Sequence, residues 1–169
     1  MITNRVLIFS VTVLFLTKVF AICFTNFNLF GDEAQYWLWS RKLDFGYFSK
    51  PPFLAWFIRV YTEVLSNDFV ALKLIPSLVY FFTALAFYNL CTNIGLRKDK
   101  SLSFSLLFLF IPAVSFSSFI LSTDVFLLLF WTLGLNELVK IKKGSGIKNY
   151  ILLGIIIGLA FLSKYAAVY

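Results

Sequence analysis

The sequence predicts an all-α fold: a polytopic transmembrane helix bundle of about five spans, with interfacial helices in its first outer loop. Three observations predict it. Of 169 residues, 60% are hydrophobic and only 14% charged, whereas a soluble domain is closer to half apolar and a quarter charged. The mean hydropathy is +0.88. The apolar residues also come in continuous runs, not in the alternating segments of an outer-membrane barrel. In lipid such runs satisfy their backbone hydrogen bonds as helices.

Residues 6–25, behind Arg5, form the first run. Roughly 20 residues suffice to span a bilayer. No small-x-small pattern closes the run, and no small residue directly precedes Cys23, so a cleaved leader or lipoprotein anchor fits poorly. Lys18, inside the run, is expected to snorkel to the outer interface. Residues 26–52 are the longest polar interval of the N-terminal half. Residues 53–66 are amphipathic, with Arg59 and Glu63 spaced for an i,i+4 pair on an interfacial helix. Ser66-Asn67-Asp68 reads as a turn or helix cap.

Residues 69–92 form the second run, with Lys73 near its start and Pro76 in its first turns. Residues 102–121 form the third, with a kink expected at Pro112. Ser122-Thr123-Asp124 interrupts before the fourth run, residues 125–139. Gly144-Ser145-Gly146 is a short link to the fifth, residues 150–168.

The net charge of +7 would hint at nucleic acid in a soluble protein. Here the basic residues cluster between apolar runs, so topology explains them and no nucleic-acid partner is expected. Arg5, the 97–100 cluster and the 140–148 cluster fall on one side; Asp32, Glu33, Asp44, Glu63, Asp68 and Asp124 fall on the other. The positive-inside rule then predicts a multi-pass protein of the cytoplasmic (inner) membrane, with its N-terminus in the cytoplasm and loop 26–68 outside. Histidine is absent, so proton transfer or metal binding falls to carboxylates. Cys23 and Cys91 form no disulfide framework or metal signature.

The candidate chemistry lies outside. Asp32 and Glu33 open a stretch containing Tyr36, Trp37, Trp39 and Tyr47, which Lys50-Pro51-Pro52 closes. Asp32-x-x-Gln35 resembles a capping box, which leaves Glu33 without a reason. The other reading is a carboxylate facing a cavity, as general base or cation ligand. The prolines are expected to fix an extended backbone, deny a helix at Lys50 and hold it near the surface, where it suits a lipid phosphate or simply the interface. Asp124 caps the fourth span, in rivalry with Ser122 and Thr123, or lines a polar cavity. Lys164 pairs with a carboxylate or phosphate, or snorkels.

Asp32-Glu33-Ala34-Gln35-Tyr36-Trp37-Leu38-Trp39, Gly46-Tyr47-Phe48-Ser49-Lys50-Pro51-Pro52, Ser122-Thr123-Asp124 and Leu162-Ser163-Lys164-Tyr165 follow one another in a specific order. That ordered set resembles the integral-membrane glycosyltransferases of the GT-C superfamily, nearest to the protein O-mannosyltransferases and the bacterial lipid-A aminoarabinose transferases. The resemblance implies a polyprenyl-phosphate-linked sugar donor and transfer on the outer face with inversion. By position, Asp32 becomes the catalytic or metal-associated carboxylate, supported by Glu33. Lys50 becomes the ligand of the carrier phosphate, and Asp124, Lys164 and Tyr36 become substrate-binding residues. Ser49 stands where the aminoarabinose transferases often carry an acid, so a divalent metal cation remains an open cofactor. Members of the family are usually longer. The chain is therefore expected to be the N-terminal portion of such an enzyme, inactive alone, with membrane lipid and a second chain supplying further spans as partners. The rival expectation is a non-catalytic polytopic protein that binds or moves a lipid or solute.

Overall fold

The computed structural model describes residues 2–25, 28–65, 69–144 and 146–169, with side chains from Arg5 onward. The turn or cap expected at Ser66-Asn67-Asp68 lies outside the described residues, as do Asn26, Phe27 and the central Ser145 of the glycine link.

The described chain runs through α1 (Ile2–Phe24), α2 (Gly31–Arg41), α3 (Phe53–Val64), α4 (Phe69–Asn93), α5 (Lys98–Phe110), α6 (Pro112–Ser117), α7 (Thr123–Lys142) and α8 (Ile147–Ser163), then a 3-10 turn at Tyr165–Val168. It is an all-α membrane helix bundle. Helices α1 and α4 are each long and apolar enough to cross a membrane, and α8 is a shorter apolar helix. In α1, Leu7, Val11 and Ile22 are buried along one stripe, while Ile8, Phe9, Leu16, Phe20 and Phe24 are exposed. Lipid tails are as apolar as these side chains, so the outer stripe needs no protein cover.

Helix α4 occupies the centre, packed against α1, α5 and α7. Leu72, Ile75, Val79, Tyr80 and Ala84 form its buried face. Polar side chains join the helices where apolar burial alone would not select partners. Ser105 Oγ donates to the Ala84 carbonyl (2.6 Å) and Ser77 Oγ to the Ser118 carbonyl (2.7 Å). Asn93 Nδ2 donates to Asn136 Oδ1 (2.7 Å), and Glu137 accepts from Asn149 Nδ2 (2.6 Å), tying α7 to α4 and α8.

Two expectations change here. The third run is broken, not kinked. Helix α5 ends at Phe110, Ile111 adopts φ −57° and ψ 125°, and α6 restarts with Pro112 at its first position. A proline drives the residue before it out of the helical region and suits the first position of a helix, where its missing N–H costs nothing. Lys18 does not reach out to headgroups. Its Nζ lies 3.2 Å from the Ser115 carbonyl, 2.5 Å from Ser118 Oγ and 4.4 Å from the centre of the Phe119 ring. Acceptors on α6 and its C-cap, with the ring face of Phe119 just beyond, hold the ammonium within the bundle.

Candidate functional site

The site is built at one end of the bundle, from the start of α2, the loop into α3, the start of α7 and the end of α8. Helix α2 begins at Gly31, with Phe30 as its N-cap, so Asp32 already lies inside the helix and cannot cap it. Glu33 takes that role. Its Oε2 accepts the Phe30 N–H at 2.8 Å. The same oxygen lies 2.5 Å from Lys73 Nζ on α4, and Oε1 accepts the Leu121 N–H at 2.7 Å. Glu33 is fully buried. Both oxygens are thus bonded to protein groups, which places Glu33 behind Asp32 and out of contact with solvent.

Asp32 is exposed on the next position of the helix and has no hydrogen-bond or ion partner among the described residues. Tyr36, one turn further on, is buried with its ring against Trp39 (5.6 Å between centres). Burial raises the Tyr36 phenol above its ordinary value, and the negative charges of Asp32 and then Asp124 add to the rise. Both carboxylates therefore lie within electrostatic range of one hydroxyl on α2. Asp124 sits in the first turn of α7, where negative charge suits the helix dipole. Neither Ser122, the N-cap, nor its neighbours close the helix with a side-chain bond. Asp124 Oδ1 instead lies 2.5 Å from Lys164 Nζ, at the C-cap of α8.

Lys50 is held differently. Its backbone pairs with Tyr47 in a single antiparallel bridge, N–H to carbonyl at 3.0 and 3.3 Å. Tyr47 stacks on Trp39 with ring centres 4.7 Å apart and an interplanar angle of 11°. Its hydroxyl donates to the Trp39 carbonyl (3.0 Å) and accepts the Asp44 N–H (3.1 Å). Trp56 Nε1 donates to the Asp44 carbonyl (2.9 Å). The aromatic residues of the loop thus fasten its backbone. Pro51 and Pro52 are buried, and Pro52 is not extended as expected but helical (φ −83°, ψ −15°), serving as the N-cap of α3. Phe53 then packs on Phe126 and Phe130, each 5.2 Å away, which anchors the start of α3 against the opening turns of α7. The Lys50 ammonium makes no hydrogen bond or ion pair with the described residues, so the structure does not join it to Asp32 or Asp124.

The structure adds one residue that the sequence reading passed over. Lys73 is buried and ion-paired with Glu33. The signal was present: a lysine inside an apolar run demands a partner, and Glu33 was a carboxylate lacking a role. Chemically, the arrangement offers an exposed carboxylate at Asp32, the Asp124–Lys164 ion pair and a phenol at Tyr36 that burial keeps protonated, with Lys50 standing apart from them.

The family pattern described as dolichyl-phosphate-mannose-protein mannosyltransferase matches residues 49–169. The chain is also 34% identical, over 155 residues, to a protein named lipid A galacturonosyltransferase RgtD, from Rhizobium johnstonii (strain DSM 114642 / LMG 32736 / 3841). The alignment covers 91% of this chain and 33% of that relative, so the chain spans about a third of the relative's length. No solved structure matches the chain. With the family pattern spanning the larger part of the bundle, from Ser49 to its last residue, the chain belongs to the dolichyl-phosphate-mannose-protein mannosyltransferase family, among the membrane glycosyltransferases of the GT-C superfamily.

Proposed function

We propose that this chain forms the outer-face site of a glycosyltransferase that moves a sugar from a polyprenyl-phosphate carrier to an acceptor hydroxyl, with inversion at the sugar carbon. The observation that carries the reading is Asp32. Among the described residues its carboxylate alone lacks a hydrogen-bond or ion partner, and its charge reaches Tyr36 beside Asp124. Such a carboxylate takes the proton of the attacking acceptor hydroxyl. As the new glycosidic bond forms, the bond from the sugar carbon to the phosphate oxygen breaks, and the electron pair leaves on the carrier phosphate. Lys50 meets the charge developing there, and Lys164 joins it when it exchanges Asp124 for phosphate. Cations fixed before the reaction stabilise that charge most in the transition state. Glu33 holds Asp32 from behind, and Tyr36 donates a hydrogen bond to the substrate.

No group of three or more metal-ligating side chains occurs among the described residues. For a divalent cation the chain offers two exposed carboxylates, Asp32 and Asp124, a donor set that suits a magnesium-type ion completed by substrate phosphate and water. The galacturonosyltransferase relative is named for a lipid A acceptor. By that likeness the acceptor proposed here is also borne by a lipid. The acidic residues of the site and the basic clusters around Arg97 and Lys142 support an N-terminus in the cytoplasm.

Asp32→Asn tests the reading. Transfer in native membranes, followed by mass analysis of the glycosylated product, is expected to fall about a hundredfold or more. Membrane insertion is expected to be unchanged. Near-normal turnover would remove Asp32 from the role of base.

A further inference from the structure

We infer that Lys73 is a positioning residue for the outer site: through Glu33 it sets the spacing between the helix starts that carry Asp32 and Asp124. Glu33 Oε2 is shared by the Phe30 N–H (2.8 Å) and Lys73 Nζ (2.5 Å), while Oε1 takes the Leu121 N–H (2.7 Å). Phe30 is the N-cap of α2, two residues before Asp32. Leu121 is fully buried, directly precedes the N-cap of α7, and stands three residues before Asp124. One carboxylate therefore fastens the entrances of both helices to α4.

Helix α2 packs mainly on α3, and the bond to Leu121 joins the start of α2 to the approach of α7. Accepting from two backbone N–H groups and an ammonium at once uses both oxygens as acceptors, which an ionised carboxylate offers and an amide, with one acceptor oxygen, does not. The ionised form in turn requires Lys73, because an isolated buried charge is expensive. Among the described residues Glu33 is the one carboxylate paired with Lys73. Its ammonium lies 4.5 Å from the centre of the Phe30 ring, and it borders a mainly apolar cavity of about 340 Å³ lined in part by Phe69, Val70, Phe116 and Phe119. The functional meaning of this strut rests on the proposed site at Asp32 and Asp124, but its geometry is testable without any reaction.

The test is a distance measurement between the two helix starts. Spin labels are placed at Gln35→Cys and Ser122→Cys in a Cys23→Ser, Cys91→Ser background, with the chain reconstituted in phosphatidylcholine liposomes. Double electron–electron resonance should give a narrow distribution for that background. Lys73→Met is expected to roughly double its width while helix content stays the same. A distribution superimposed on the parent's would overturn the inference. Should Lys73→Met not insert, Glu33→Gln with Lys73→Met removes both charges together. That pair is expected to fold and still give the broad distribution, because glutamine offers one acceptor oxygen in place of two. A narrow distribution there would equally overturn it. Failure of the site reading shows separately, as undiminished transfer by Asp32→Asn, and leaves these distances untouched.

Discussion

Lys164 Nζ lies 2.5 Å from Asp124 Oδ1, joining the C-cap of α8 to the first turn of α7. The two side chains are 30% and 59% exposed, so water screens their attraction. Exposed ion pairs contribute about 0–1 kcal/mol. A bond so weak does little for the scaffold, and under the proposed function it gives way to an incoming phosphate.

Lys164→Gln is accordingly expected to shift the thermal unfolding midpoint by no more than about 3 °C. Affinity for the lipid-linked donor, measured by titration calorimetry, should fall roughly tenfold, the worth of one charge-assisted hydrogen bond. A large loss of stability with unchanged affinity would assign the pair to the scaffold instead.

Lys50→Ala should weaken donor binding by a similar factor of about ten. Its ammonium has no protein partner to lose among the described residues, and the bridge to Tyr47 is made by backbone atoms. Expression and helix content should therefore be unchanged. Unaltered donor affinity would take Lys50 out of the phosphate site.

Asp32 and Glu33 are neighbours with opposite expected costs. Glu33→Ala leaves Lys73 buried without its counter-charge, which costs about 3–5 kcal/mol. The unfolding midpoint should drop by roughly 10 °C or more. Asp32→Ala removes an exposed, unpartnered group and should stay within about 0.5 kcal/mol of the parent. Equal effects at the two positions would contradict the burial seen here.

Tyr36 should ionise above the ordinary phenol value of 10.0, first because it is buried and then because Asp32 and Asp124 oppose a third negative charge. It is a neutral donor at physiological pH. The folded state favours the protonated phenol, so the contribution to stability is complete below the unfolded value and is lost as pH rises through the folded one. A difference titration of phenolate absorbance against Tyr36→Phe measures the shift. Asp32→Asn should move it part of the way back towards 10.0. No movement would mean that the carboxylate does not face the phenol.

Local features were legible in the sequence. Arg59 and Glu63, four apart on an amphipathic stretch, pair at 2.5 Å on α3 as their spacing required. The apolar runs became helices, and Pro112 marked the right place although its effect was a break and not a kink. The capping assignment failed by a frame. Asp32 and Glu33 are both acidic and adjacent, and which one caps depends on where the helix starts. That start is fixed by Lys73 and Leu121 gripping Glu33 from 40 and 88 residues away.

What the amino-acid order determined alone was a lipid-embedded helix bundle, because hydropathy acts residue by residue. Only the tertiary structure decided which charges meet. It turned Lys18 inward onto α6 and the turn after it, sank Glu33 against Lys73, paired Asp124 with Lys164 and left Asp32 exposed. The reason is physical: a charge next to lipid takes whatever partner the packing of other helices brings within hydrogen-bond reach, and that distance is written in no single stretch of the chain.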